Sequence, residues 1–262
     1  MPDNSKLMTI KLPNGLLHAV PNQAALLNLN YTVYEIFTLK SYERKGWEIA
    51  QTDTILDIGA HMGVFALWAA KQAPRGKIIS IEPTENIESL TKSIEINKLK
   101  NITPLKVAIG KDDSFIELFT SPNYNSSNSN TQFTHSPFLR FLTFLGFNTI
   151  HRKHKNQRKT ERVKTVSIAS IMDKYKLKQI DYLKIDCEGG EYDVFNYLPE
   201  KYFPRIKKIA MEFHHFHPSH DYRKLKALFE KHGFEVNTHR TFVQRLTKSG
   251  NIWARQKEES TN

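Results

Sequence analysis

The chain has 262 residues, 39% hydrophobic and 25% charged, enough for one large domain with a substantial core. Its 38 Lys and Arg against 27 Asp and Glu give a formal net charge of +11, a surface that favours anionic partners such as nucleic acid, acidic membranes or phosphorylated substrates. The single cysteine, Cys187, excludes an internal disulfide, and no run reaches the ~20 apolar residues that span a bilayer. Met1 to Ser5 is polar with no apolar signal core behind it, so the expected location is the cytoplasm, and the glycosylation-like triplets at Asn101 and Asn125 are read as chance matches.

Residues 1–50 read as an N-terminal cap: Met8 to Leu12 alternates, Pro13-Asn14-Gly15 makes a hairpin turn, and an amphipathic segment covers Tyr31 to Leu39. From Thr54 strands and helices alternate through a domain expected to span 51–257. The first strand is Thr54–Ile58 and its helix Val64–Ala73. A second strand, Lys77–Ile81, leads to Glu82-Pro83 and a helix over Glu85–Asn97, with Ile87, Leu90 and Ile94 on one face. A third strand covers Thr103–Ile109, with an extra strand at Ser114–Phe119. Beyond residue 162 the pattern predicts strand Ile180–Ile185, a helix near Glu191–Leu198, strand Ile206–Phe213, helix Asp221–His232 stopped by Gly233, and strands Glu235–His239 and Ile252–Arg255. This alternation implies an α/β fold, a doubly wound, mostly parallel, seven-stranded sheet covered on both faces. Residues 120–162 break the rhythm as an insertion before the fourth core strand.

The chemistry concentrates where strands end. Asp57-Ile58-Gly59-Ala60-His61-Met62-Gly63 joins the first strand to the first helix through a glycine turn. It has no middle glycine of the dinucleotide fingerprint, and its acid would repel a pyrophosphate. That acid suits a cationic ligand with an amino group, and S-adenosylmethionine (SAM) is such a ligand. Asp57 would accept from the SAM amino group, and Glu82, ending the second strand, would grip the ribose hydroxyls. Ala108 and Ile109 would line the adenine. The full expected cofactor set is Asp57, Gly59, Ala60, His61, Gly63, Glu82, Ala108 and Asp186. A simpler account of Glu82 is a favourable charge at a helix start.

Two further clusters follow: Lys184-Ile185-Asp186-Cys187-Glu188-Gly189-Gly190-Glu191 and Glu212-Phe213-His214-His215-Phe216-His217. Their strands should be neighbours, bringing Asp186, Glu188, Glu212 and His214 together. Two mechanisms stay open. In one, Asp186, Glu188 and His214 are catalytic, with His214 or a carboxylate taking a hydroxyl proton. In the other, Asp186, Glu212 and His214 hold Mg²⁺ or a similar hard divalent cation that acidifies the hydroxyl. Cys187 reads as buried rather than reactive.

The strings at Thr54–Gly63, Ile81–Pro83, Val107–Gly110, Leu183–Glu191 and Met211–His214 closely resemble the FkbM-type methyltransferases over about residues 30–240, the insertion excepted. The resemblance implies a Rossmann-like class I methyltransferase fold, SAM as cofactor at Asp57, Gly59, Gly63 and Glu82, and a signature cluster at Asp186, Glu188 and Glu191. It also implies O-methylation of a hydroxyl on a sugar, glycolipid or related secondary metabolite. His61 stands where the family often has asparagine, and the basic insertion is atypical. In that insertion Phe138, Phe141, Leu142 and Leu145 share one helical face ahead of a basic tract, Arg152 to Lys164. The tract suits an anionic membrane, a lid on the substrate pocket or a solvated loop. The rival functions are a nucleic-acid methyltransferase using the basic surface and a non-catalytic SAM-fold binding module. Nucleic-acid amino-methylation typically uses an Asn/Asp-Pro-Pro-aromatic string, which residues 186–191 lack.

Overall fold

The computed structural model describes residues 8–120, 159–241, 244 and 249–257. The sheet that positions the site has seven strands. β3 (Thr54–Ile58), β4 (Lys77–Ile81), β5 (Ile102–Leu105), β9 (Ile180–Ile185) and β10 (Ile206–His214) run parallel. β12 (Ser249–Gln256) runs antiparallel between β10 and β11 (Phe234–His239), giving the order β5-β4-β3-β9-β10-β12-β11. The central strands β3 and β9 are mostly apolar because both their faces are covered. Leu56, Ile58, Leu183 and Ile185 pack to one side with Phe203 and Phe229, and Ile55 and Tyr182 to the other with Phe65 and Leu67. Burying each such side chain contributes about 1.5–3 kcal/mol.

Helices α2 (Val64–Gln72) and α3 (Ile87–Asn97) make the crossovers of the first half, and α5 (Tyr222–Lys231), capped by the Asp221 side chain, packs on β11 in the second. Every residue of α2 from Val64 to Ala70 is buried, because the N-terminal segment covers its outer face. That segment is the hairpin of β1 (Met8–Lys11) and β2 (Leu17–Val20), turning at Gly15 as its sequence predicts, followed by α1 (Gln23–Phe37). Ala19 N–H donates to Ser93 Oγ at 2.9 Å and the Asn97 amide donates to the Leu17 carbonyl at 2.6 Å, fixing the hairpin to α3. Helix α1 begins well before the expected Tyr31.

Three other expectations change. The expected third strand splits. Pro104 cannot donate to a ladder and sits on edge strand β5, while β6 (Ala108–Ile109) joins a separate small sheet. That sheet also holds β7 (Ser114–Thr120) and β8 (Lys159–Val166), so residues 159–162 of the expected insertion are strand, and Arg162 and Lys164 belong to β8. Helix α4 (Ile168–Lys174) follows it. Residues 191–198 form consecutive turns instead of a helix, with i→i+3 bonds such as Asp193 N–H to Gly190 O at 3.0 Å. The acidic side chain of Glu191 turns inward to the preceding backbone, and Pro199 follows, so no helical ladder develops. The 123–130 loop and the amphipathic 138–145 segment lie outside the described residues.

Candidate active site

The loop after β3 is held almost entirely by backbone. Gly59 and Ala60 both donate to the Ile81 carbonyl at 2.9 Å, and Asp186 N–H donates to Ile58 O at 3.0 Å. Gly59 has φ +77° and Gly63 φ +91°, conformations that favour glycine. A methyl group on Gly59 would lie 1.7 Å from the Asp186 carbonyl oxygen, so β3 and β9 approach too closely there for any side chain. The Glu82 carboxylate accepts from His61 N–H at 3.0 Å and from Thr84 N–H at 3.1 Å and its hydroxyl at 2.6 Å, tying the end of β4 to the turn.

A cavity of about 1080 Å³ opens at this end of the sheet, the carboxyl ends of the parallel strands, where α/β proteins bind ligands. One part is lined by Gly59, Ala60, His61, Glu82, Ala108 and Ile109, the other by Asp186, Glu188, Glu212 and His214, with α1 and the segment after it as a roof. The sequence clusters therefore meet as expected. His214 Nδ1 lies 2.9 Å from Glu191 Oε1, and its Nε2 is 3.8 Å from both Glu188 and Glu212. Burial alone would lower the imidazole pKa, but Glu191, Glu188 and Glu212 together hold it well above its ordinary value. A raised pKa favours the protonated ring, which weighs towards a carboxylate over His214 as the group that takes the hydroxyl proton. The carboxylates are shifted upward too. Burial, with repulsion from Asp186, raises Glu212 to about 8 and Glu188 to about 7. Glu191 is fully buried and also accepts from the Gly189 and Cys187 amides at 3.0 and 3.2 Å. Burial and Glu191 push the Cys187 thiol up, which leaves it unreactive.

Two members of the expected cofactor set stand outside the cavity lining. Gly63 caps α2, and Asp57 is fully buried beneath the turn, 3.4 Å from Lys184 Nζ. Three further groups, to which the sequence alone assigns no role, face the cavity. Glu35 on α1 is raised to about 7 by burial and by Asp186. Tyr42 donates its hydroxyl to Asp186 Oδ2 at 3.2 Å, and Lys184 reaches the turn from below. Tyr42 and Glu35 come from a segment with no glycine or acidic string to mark it, and Lys184, although it opens the 184–191 string, is assigned no role by the sequence alone. For a metal, ligand atoms of Asp186, Glu191 and His214 lie within 4.8 Å of one another, so Glu191 takes the place expected of Glu212. In this arrangement Glu191 already accepts from the Cys187 and Gly189 amides and contacts the imidazole, so its oxygens are engaged.

The sheet order, with one antiparallel strand inserted beside the fifth parallel one, and the glycine turn at its open end define a Rossmann-like methyltransferase fold. Residues 57–236 match the sequence model described as the Methyltransferase FkbM domain, well over half of the chain, and the chain belongs to that family. It is 26% identical to the AMB antimetabolite synthetase AmbE of Pseudomonas aeruginosa over 94% of this chain, and spans 12% of that protein's length. It is 35% identical to the 31-O-demethyl-FK506 methyltransferase FkbM of Streptomyces tacrolimicus over 29% of this chain and 28% of that protein. Among solved structures, methyltransferase FkbM from Methylobacillus flagellatus KT aligns over 88% of this chain and 52% of that one, at 14% identity and a TM-score of 0.49. Residues 57–236 are thus a methyltransferase domain of this family. No helix among the described residues is long and apolar enough to cross a membrane.

Proposed function

We propose that the chain transfers a methyl group from SAM to a hydroxyl of a sugar, glycolipid or related metabolite. One observation carries the reading: Glu188 and Glu212, carboxylates poised to change protonation near neutral pH, face the same cavity as the glycine turn. The lining residues fit SAM. Glu82 offers oxygens at the end of β4, Ile58, Ile81, Ala108 and Ile109 offer apolar surface, and the lining cations besides histidine are Arg44 and the ion-paired Lys184. That donor set suits hydroxyls and a sulfonium and leaves little to neutralise a pyrophosphate. SAM bound over Gly59–Gly63 supplies an electrophilic methyl group.

The remaining work falls to this chain's own side chains. Asp186, fixed by the Tyr42 hydroxyl, stands beside the turn and orients the acceptor. Glu212 or Glu188, deprotonated, takes the acceptor hydroxyl proton. The His214 imidazolium, held by Glu191, steadies both carboxylates from 3.8 Å. Glu35 adds a further acid, so the acceptor end disfavours phosphate-rich ligands, which weighs against nucleic acid. The Streptomyces relative, whose name places its methylation on an oxygen, supports the hydroxyl as target.

The test is transfer from methyl-labelled SAM to a panel of sugar and glycolipid acceptors. Label should appear in an alkali-stable ether, with a rate that climbs with pH through the range of about 7 to 8 as Glu188 and Glu212 lose their protons. Glu212→Gln or Glu188→Gln should lower turnover by about tenfold or more. EDTA should leave the rate unchanged. A pH-independent rate untouched by either substitution, or label recovered on nitrogen, would defeat the proposal.

A further inference from the structure

The position that the mechanism leaves unused is Lys184, and its surroundings are unlike those of a solvated strand-end lysine. It is buried, 4% exposed, on the interior strand β9. In the parallel register it stands opposite Asp57 of β3. Its Nζ donates to the Gly59 carbonyl at 2.7 Å and lies 3.4 Å from Asp57 Oδ1. The ring centroids of Tyr42 and Phe65 lie 5.6 and 6.0 Å from the same nitrogen, within cation–π range.

We infer that Lys184 is a positioning residue for methyl transfer, a single buried ammonium that sets both the glycine turn on the cofactor side and the Tyr42–Asp186 wall on the acceptor side. The inference rests on the SAM reading above.

Burying a charge pair costs several kcal/mol, and an apolar pair at the same two positions would serve the sheet as well or better. Folding alone therefore does not call for this pair. What an apolar pair could not do is hold the turn. The Gly59 peptide is gripped on both sides: its N–H donates to the Ile81 carbonyl of β4 at 2.9 Å, and its C=O accepts from Lys184 of β9. With φ at +77°, this peptide has no helical or strand ladder of its own to fix its orientation. The second arm runs through Tyr42. Its ring packs edge-on against Phe65 with centroids 5.3 Å apart, and its carbonyl accepts from the Tyr182 hydroxyl at 2.6 Å. Its own hydroxyl reaches Asp186 Oδ2. Moving the ammonium would release the turn carbonyl and the aromatic face that carries Tyr42 together.

The test separates holding the site from holding the fold. Lys184→Met leaves Asp57 buried without its partner, so its thermal midpoint should fall. Asp57→Asn with Lys184→Met removes both charges, and its midpoint should recover. SAM affinity is measured by calorimetry for each variant at a temperature where circular dichroism shows it folded. We expect the dissociation constant to rise by about tenfold or more in both variants, including the recovered double one. Lys184→Arg, which keeps the donor, should regain part of the affinity. If affinity returns together with the midpoint in the double variant, or never changes, Lys184 is only structural and the inference fails. Absence of SAM binding by the unaltered chain would instead overturn the cofactor reading, and this inference with it.

Discussion

On the β3–β4 side of the cavity the turn is held through its own backbone groups, whereas on the β9–β10 side the contacts run between charged side chains. Gly59 and Ala60 share one carbonyl of β4, and no atom larger than hydrogen fits at Gly59. Across the cavity His214 stands among Glu188, Glu191 and Glu212, and the geometry depends on which of them carry protons. The first kind of construction is intolerant of any added side chain. The second tolerates isosteric change and responds to pH. A binding surface for a constant cofactor suits the first, and a surface that must move a proton requires the second.

Three substitutions would break or sharpen that contrast, in falling order of effect. Gly59→Ala should be the most damaging. It places a methyl group 1.7 Å from a backbone oxygen at a left-handed φ, and neither strand can yield without disrupting the sheet. The expected loss is about 4 kcal/mol or more in urea unfolding, with SAM binding abolished. A stable, SAM-binding alanine variant would show that the backbone-held side is not rigid.

Glu191→Ala attacks the charged side. It leaves the His214 cation and the Gly189 and Cys187 amides without their buried partner, and should cost about 3 kcal/mol in the same measurement. A loss close to zero would mean that His214 finds Glu188 or Glu212 at no cost.

The smallest effect concerns a titrating group away from the cavity lining, His18 of β2. The ring is fully buried, its Nδ1 is 2.7 Å from the Ala19 carbonyl, and burial lowers its pKa to about 4. The unfolded chain therefore binds a proton near pH 6.5 that the folded chain refuses until about 4. Its contribution is complete above ~6.5 and declines as pH falls, a loss of about 2 kcal/mol by pH 5. His18→Leu should flatten the stability profile over that window. An unchanged acid slope in the variant would assign the loss to other groups.

Much of this was readable from sequence because the turn and the strand ends obey local rules. Glycines at residues 59 and 63 are where a left-handed backbone is needed, and carboxylates at 82, 186 and 212 fall where parallel strands stop. What was hidden depends on distant chain segments. Glu35 and Tyr42 enter the site only because α1 folds over α2, which no local pattern reports. The direction in which Asp57 faces was hidden too, since its partner Lys184 is a register neighbour 127 positions away in the chain. Strand β8 was masked by its own charges. Val163 and Thr165 are buried at alternate positions, but Arg162 and Lys164 between them made the segment look like a basic tract. At residues 191–198 the sequence offered a good helix start, and the inward turn of Glu191 took its first-turn acid away.

The β7–β8 pairing has a consequence for the path of the chain. Thr120 and Lys159 face each other across the last rung of the ladder, so residues 121–158 leave and re-enter the domain at adjacent points. The ladder itself brings those two points together. That junction belongs to the three-stranded sheet, whereas the registers around the glycine turn belong to the seven-stranded one, so the two are built on separate ladders.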